Sequence, residues 1–444
     1  MKTIQAPQRI MNILMTPSMR PGVYKPSAFN FAPAQIPRII FHTLRRHLAE
    51  LTEAEWQILG EERVRYQGGD GEKTVEELIR AGFLVEENFD ETKTYLEVID
   101  ALKIMMKKSS GKNFFKIYTT MECNARCFYC FEPDHPVQPM EPETVDALFD
   151  YIMRTKGNNR ITLQWFGGEP LCNHNAIDQL CRKLRDAGVD YISRMATNGS
   201  LFDQAMIRRA CDLWNMEKVQ ITLDGMEKEH NKRKRYYPGL ENPFAVTINH
   251  IGLALDAGLS VIVRLNFDSR NVTSIWELID FLIQRFQGNT RLKIYPAILF
   301  EEWFAWKDNQ SAEIRSMLRD EWAKMRGKLH EAGLLNQPKL TAIPKLNHCM
   351  ADNERVAIVS VDGRLYTCES CSESLAYGDI HNGVTNQNLY DSWVRKVQIR
   401  EKCRDCVFLP ECTAFSLCPT KESDCFAAQH DDLLHKILYA MEPV

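Results

Sequence analysis

Cys123, Cys127 and Cys130 lie within the run Met121-Glu-Cys-Asn-Ala-Arg-Cys-Phe-Tyr-Cys-Phe131, directly after a strand-like segment. Their spacing, C-x3-C-x2-C, offers three thiolates from one tight loop. Iron–sulfur clusters are normally closed by four Cys, and structural zinc sites by four ligands. A four-iron cluster on this loop would therefore keep one iron open, and an open metal position is what catalysis requires. The competing readings are a zinc loop or three buried cysteines. A second field follows at Cys349, Cys368, Cys371, Cys403, Cys406, Cys412, Cys418 and Cys425. On spacing alone it fits a pair of four-cysteine zinc sites as well as iron–sulfur clusters.

The remainder of the composition narrows the class. The chain has 444 residues, 26% charged and 44% hydrophobic, which suits two or three soluble domains. A net charge of −4 argues against a nucleic-acid surface. No run approaches the roughly 18–20 apolar residues of a membrane helix. The segment Met1-Lys-Thr-Ile-Gln-Ala-Pro lacks a signal-peptide core, so a cytoplasmic location is expected. In such a reducing compartment, fourteen cysteines point to metal or redox work rather than to disulfides. Cys172, Cys181 and Cys211, outside both groups, read as small core hydrophobes.

The elements that must position the cysteines alternate from Phe114 onward. Strands are expected at Phe114–Thr119, Arg160–Phe166, Tyr191–Thr197, Lys218–Leu223, Ser260–Asn266 and Arg291–Pro296. Helices are expected at Pro142–Arg154, Ala176–Ala187, Gln204–Trp214, Pro243–Ala257 and Ile275–Phe286. Six strands with intervening helices imply a parallel α/β sheet with right-handed crossovers, whose chemistry gathers at the C-terminal strand ends. Residues 1–110 differ in texture. Ile4–Met15 and Ala28–Phe31 read as strands, and Arg38–Leu48 and Glu53–Leu59 as helices, the second led by a Thr52/Glu55 capping box. Thr74–Val85 reads as a helix, a Gly82 C-cap and a strand, giving a winged-helix-like domain or a plain extension. Asp431–Met441 reads as a docking helix.

Three strand ends carry polar runs. The second runs into Trp165-Phe-Gly-Gly-Glu-Pro170, where Gly167 and Gly168 would let backbone approach a ligand and Glu169 could accept bonds from an ammonium group. The third ends in Ala196-Thr-Asn-Gly-Ser200, also a turn sequence. The fourth ends in Ile221-Thr-Leu-Asp-Gly225, and the fifth strand holds Arg264. The basic run His230–Arg235 reads as a solvated loop, with docking of an acidic peptide segment as the minority reading.

The cysteine loop, with an aromatic residue before its third Cys, resembles that of radical S-adenosylmethionine (SAM) enzymes, and the run Gly167–Pro170 resembles their SAM-binding motif. The resemblance covers about Lys112–Phe426. It implies a partial (β/α)6 barrel at 111–310, a helical bridge at 311–345 and a SPASM domain at 346–444. It implies that the open iron chelates SAM, whose cleavage yields a 5′-deoxyadenosyl radical. Glu169, Gly167, Gly168 and Pro170 would hold the methionine amino group. Thr197, Asn198 and Asp224 would lie near the ribose, Arg264 near the carboxylate and the Tyr129 backbone near adenine; structural ion pairing is the alternative for Asp224 and Arg264.

In the second field, Cys349-x13-Gly363-x4-Cys368 and Cys403-x2-Cys406-x5-Cys412 resemble the SPASM pattern. Cys412-x5-Cys418 is longer than usual, with Ser416 at the expected place, and Cys371 is extra. By this resemblance, Cys349, Cys368, Cys371 and Cys418 hold one auxiliary cluster, and Cys403, Cys406, Cys412 and Cys425 the other. That makes three [4Fe-4S] clusters with SAM, and a flavodoxin- or ferredoxin-like electron donor. The function implied is maturation of a ribosomally made precursor peptide, with residues 1–110 binding its leader and a thioether, C–C or C–O crosslink formed. One rival is formylglycine formation of the anaerobic sulfatase-maturase type, with Glu369 as the base where that group has Asp. Another is a non-catalytic iron–sulfur or zinc scaffold.

Overall fold

The computed structural model describes residues 1–5, 11, 19–69, 71–106, 111–130, 138–299, 312–336, 339–347, 349–369, 373–394, 399, 401–404, 406–412 and 428–441. Two compact units divide the chain. One is Met1–Lys108 with Gln337–Cys349 and Val397–Val444; the other is Ser109–Asn336 with Met350–Lys396. These units cut across the boundaries expected from the sequence.

In the first unit, β1 (Lys2–Gln5), β3 (Asn30–Phe31), β4 (Ile39–His42) and β5 (His47–Glu50) form a sheet in the order β1-β5-β4-β3, while β2 (Gly22–Pro26) lies between β6 (Val64–Tyr66) and β7 (Leu84–Glu86). The helix expected over Arg38–Leu48 is instead the β4–β5 hairpin. Ile39, Ile40 and Phe41 are β-branched or aromatic and buried, and Arg38 and Arg46 take positive φ of 61° and 65°, which interrupts a helix at both ends. Of the strand expected over Ile4–Met15, only Lys2–Gln5 is strand; most of the remainder lies outside the described residues. Helix α1 (Glu53–Leu59) has the expected reciprocal cap between Thr52 and Glu55. Helix α2 (Lys73–Ala81) ends at Gly82 with φ of 83°, as a left-handed C-cap should. Helix α3 (Glu91–Met106) follows.

Two cores of this unit join distant sequence. Phe31, Ile39, Phe41 and Leu48 pack with Leu433 and Ile437 of the C-terminal helix Ala428–Met441. Phe29, Leu44, Tyr95, Val98 and Ile99 pack with Leu409, and the partly buried Cys403 and Cys412 lie against them. A fully buried Arg46 is ion-paired to Glu411, and Thr43 Oγ1 donates to the Val407 carbonyl at 2.7 Å.

The second unit carries the six expected strands: β8 (Phe114–Thr120), β9 (Ile161–Gly167), β10 (Tyr191–Thr197), β11 (Met216–Leu223), β12 (Ser260–Phe267) and β13 (Leu292–Ile298). Each is parallel to its sequence neighbour. Right-handed crossovers in sequential order place every connecting helix on one side of the sheet. Those helices are α4 (Pro142–Thr155), α5 (His174–Asp186), α6 (Gln204–Asp212), α7 (Glu227–Lys234), α8 (Pro243–Asp256) and α9 (Val272–Arg285), with α10 (Ala312–Glu331) against β13.

Burial alternates along the strands with period two. Leu163, Trp165, Ile221, Val263 and Leu265 join the main helix-packed core. Their neighbours Gln164, Arg194, Gln220, Arg264 and Tyr295 are half-buried on the other face. The sheet continues from β8 through β14 (Val356–Val359), β15 (Arg364–Tyr366), β16 (Ala376–Asp379) and β17 (Gly383–Val384), with β14 parallel to β8 and the rest antiparallel. Among the described residues, no helix is long and apolar enough to cross a membrane.

His42 and His47 are buried in the first unit. Burial first, and then the nearby Arg45 charge, holds His42 well below its ordinary value of 6.5; burial likewise lowers His47. His42 Nδ1 accepts the Arg45 N–H at 3.0 Å, so protonation would break that bond. Both folded values lie below the unfolded one, so the unfolded state binds more protons once pH drops below about 6.5. Stability present at pH 7 should be lost on acidification, by up to about 1.4 kcal/mol per pH unit per histidine. Calorimetric melting from pH 7 to pH 5 should show the first unit's transition falling, with a smaller slope in His42→Gln. A pH-independent transition would contradict this.

Candidate active site at the strand ends

The loop from Met121 to Cys130 leaves the C-terminal end of β8 and carries Cys123, Cys127 and Cys130, all partly exposed. Its seat is made by Gly167 and Gly168 at the end of β9. A Cβ at Gly167 (φ 134°) would strike the Thr120 carbonyl, and one at Gly168 would strike the Glu122 carbonyl and lie 2.7 Å from that of Met121. The glycines therefore admit the chain's own backbone, a different partner from the ligand expected from the sequence. Two bonds lock this seat: Gly168 N–H to Thr120 O at 2.9 Å and Glu169 N–H to Glu122 O at 2.8 Å.

Glu169 is fully buried. Its carboxylate accepts Thr197 Oγ1–H at 2.7 Å, the Asn198 N–H at 2.8 Å and the Leu171 N–H at 3.3 Å. A carboxylate has about four acceptor sites, so these three bonds leave one uncommitted. Burial raises its pKa, opposed by the Asn198 and Thr197 bonds. Asn198 Nδ2 donates to Asn124 Oδ1 at 2.7 Å, and Asn124 to Ser200 Oγ at 2.8 Å, tying the third strand end to the cysteine loop. Pro170 opens a short 3-10 turn, and its carbonyl accepts from Thr119 Oγ1.

Asp224 and Tyr129 meet directly. The buried Tyr129 hydroxyl donates to Asp224 Oδ2 at 2.6 Å, so its side chain, and not only the backbone expected from the sequence, faces the site. Asp224 Oδ1 has no hydrogen-bond partner. Arg264, on the inward face opposite Thr222 and Tyr295, donates through Nε to Asn266 Oδ1 at 2.8 Å.

The basic run is not a solvated loop. It forms α7, with His230, Arg233 and Lys234 buried. Arg233 pairs with buried Asp268 at 2.9 Å and lies over the Phe128 ring at 4.7 Å. Lys234 Nζ donates to the Tyr129 hydroxyl at 3.0 Å and lies 3.7 Å from Asp224 Oδ1. Burial alone would lower the Lys234 pKa, but Asp224, then Cys127 and Cys123, raise it above its ordinary value. The available sequence signal was spacing: positions 230, 233 and 234 share one helical face immediately after a strand end.

Cys172 is only partly buried and Cys211 is exposed, so of the three outlying cysteines Cys181 alone is a core residue. Burial and the nearby Glu169 carboxylate push the Cys172 and Cys123 thiols up to about 12.

Glu369 follows β15 and ion-pairs with buried Lys116 of β8, whose ammonium sits 3.6 Å from the Phe166 ring centre. Tyr118 donates to the Glu369 carbonyl. Cys349 belongs to the first compact unit and Cys368 to the second, while Cys403, Cys406 and Cys412 lie on consecutive turns of the first. Cys371, Cys418 and Cys425 are outside the described residues. Among those described, no three His, Cys, Asp or Glu converge on one point; in a four-iron cluster each thiolate binds a different iron. Three cysteines on one loop, a buried acceptor at Glu169 and an oxygen of Asp224 that receives no hydrogen bond suit a cluster and an ammonium- and hydroxyl-bearing ligand.

Residues 117–282 match the family model described as Radical SAM superfamily. This stretch, from β8 into α9, is a radical SAM domain, a fold that implies a [4Fe-4S] cluster and SAM. An uncharacterized protein of Methanocaldococcus jannaschii is 28% identical over 121 residues, 26% of this chain. A GTP 3′,8-cyclase of Rhodopirellula baltica is 28% identical over 218 residues, 47% of this chain. The chain spans 40% and 56% of those two relatives. A solved structure of anSMEcpe with bound AdoMet shares the fold at a TM-score of 0.58 and 14% identity, covering 74% of this chain and 96% of that one. Streptococcus suis SuiB bound to SAM does so at 0.52 and 16%, covering 90% and 94%.

Gly168→Ala should therefore displace the cysteine loop rather than a ligand. The expected outcome is a folded protein that loses about four iron, one cluster's worth, with circular dichroism unchanged. Full iron content in that variant would contradict the backbone-seat account.

Proposed function

We propose that this chain is a radical SAM maturase acting on a peptide or protein. The likeness to SuiB spans 90% of this chain and so reaches beyond the barrel. The observation that carries the reading is the fold shared, at a TM-score of 0.57, with a structure of anSMEcpe with bound AdoMet and the Cp18Cys peptide, which supports a polypeptide substrate.

Bound together, the cluster and SAM supply one-electron chemistry that yields a hydrogen-abstracting 5′-deoxyadenosyl radical. The chain's own residues would do the positioning. Cys123, Cys127 and Cys130 hold the cluster, and Glu169 holds the methionine ammonium. Asp224 Oδ1 takes a ribose or substrate hydroxyl, and Arg264 a carboxylate. The half-buried face around Gln164, Gln220 and Tyr295 receives the substrate and excludes water from the reactive centre. Eight further cysteines would hold two auxiliary clusters that accept the second electron or bind substrate, and Glu369 is the candidate base. A flavodoxin- or ferredoxin-like protein would reduce the assembly.

The first unit would bind the leader by strand addition at β7, an outer strand of its three-stranded sheet with α2 beside it. Truncating residues 1–105 does not test this, because they share cores with residues 397–444. Hydrogen exchange does: a leader-bearing peptide should protect amides of Leu84–Glu86 and Lys73–Ala81, and absence of protection there would remove the docking role.

The reaction is tested with the iron-loaded full chain, SAM, a low-potential reductant and a short peptide encoded beside its gene. The expected product has lost a pair of hydrogen atoms and carries a crosslink. Formylglycine in a Cys- or Ser-bearing peptide would favour the sulfatase-maturase type. The sequence relatives named GTP 3′,8-cyclase supply a second arm: 5′-deoxyadenosine formation that requires GTP would overturn the peptide reading. Wild-type protein should hold about twelve iron, and replacing the Cys123 triad by Ala should remove about four.

A further inference from the structure

We propose that Lys234 is a positioning residue for the cluster, a fixed buried cation that raises the reduction potential of the iron held by Cys123, Cys127 and Cys130. The inference rests on the cluster of the radical SAM domain and not on the identity of the substrate.

Lys234 closes α7 and touches the cysteine loop twice. Its carbonyl accepts the Arg126 N–H at 2.9 Å, next to Cys127. Its ammonium donates to the Tyr129 hydroxyl at 3.0 Å, next to Cys130. The Tyr129 proton is committed to Asp224 Oδ2, so the phenol oxygen is the acceptor and the ammonium's orientation is set. The neighbouring cation, Arg233, is matched by Asp268 through two bonds, at 2.9 and 3.4 Å. Lys234 has only the longer 3.7 Å approach to Asp224 Oδ1, an oxygen that receives no hydrogen bond. The side chain is 4% exposed, so water does not screen it.

An ammonium costs several kcal/mol to bury without negative charge to face. Beyond Asp224, the charges it faces are the thiolates of Cys127 and Cys123 and the Glu169 carboxylate. Reduction adds one more negative charge to the cluster, and a nearby fixed cation in a medium of low dielectric favours the more negative state. Net charge and hydrogen bonding around the sulfurs set such potentials. Lys234 thus eases delivery of the electron that SAM cleavage requires.

The test is an anaerobic redox titration of the iron-loaded full chain without SAM, followed by electron paramagnetic resonance. The reduced signal that changes on later addition of SAM marks the triad's cluster. Lys234→Met should shift its midpoint to more negative potential, and Lys234→Arg should leave it near wild type. Lys234→Met combined with Asp224→Asn strands no buried anion and should shift the same way by less. A Lys234→Met protein with full iron and a wild-type midpoint would overturn the proposal. So would weakened SAM binding at an unchanged midpoint, which would assign the cation to SAM's carboxylate. Loss of iron from both the single and the double variant would reduce Lys234 to a structural role. If wild type shows no SAM-sensitive cluster signal, the cluster reading fails instead.

Discussion

Everything at the strand ends depends on one backbone-to-backbone approach, that of Gly167 and Gly168 onto Thr120, Met121 and Glu122. No side chain fits in that contact. The amides of Gly168 and Glu169 bond across it, so the loop bearing three cysteines inherits the rigidity of two parallel strands. The same step delivers the Glu169 carboxylate to Thr197 and Asn198, the end of a third strand. A site assembled from the ends of separate strands keeps its geometry because the sheet beneath it cannot slide without inverting every side chain.

The sheet also separates two environments. With all crossovers on one side, apolar residues such as Trp165, Ile221 and Val263 face the helices, and the opposite face is left to Gln164, Arg194, Gln220 and Arg264. The radical chemistry proposed above would need walls that exclude water yet orient a polar substrate, and a half-buried polar face would meet both needs. Charge is concentrated where this face meets the cysteine loop. Asp224, Lys234, Arg233 and Asp268 are all buried there, an arrangement that favours a unique geometry over raw stability.

Most of the barrel could be read directly from residues. Tyr191–Thr197 was bounded to the residue, and the other five strands to within two, because alternation and Gly or Asn turns punctuate them. The capping box at Thr52 and the Gly82 C-cap were equally readable. What failed shares a cause. Arg38–Leu48 has helix-forming leucines and arginines, but tertiary pairing turned it into a hairpin. Residues 230–235 are so basic that solvation is the natural reading; Asp224 and Glu229 lie close in sequence, but Asp268 and the aromatic rings of Phe128 and Tyr129, which also make the burial tolerable, come from far along the chain. Partners far along the chain leave no local pattern.

The Arg46–Glu411 pair and the shared cores have a consequence for synthesis. A ribosome releases residues 1–108 first, yet the groups that cover Phe41, Leu48 and Leu44 arrive with Leu409, Leu433 and Ile437. Between the two lies the whole barrel, whose contacts are shorter-range and free to form first. Residues 29–102 must therefore wait, apolar surface uncovered, until Leu409, Leu433 and Ile437 emerge. Completion of the first unit becomes a late checkpoint on the nascent protein, and the cysteines at 403, 406 and 412 acquire their surroundings only once it is passed.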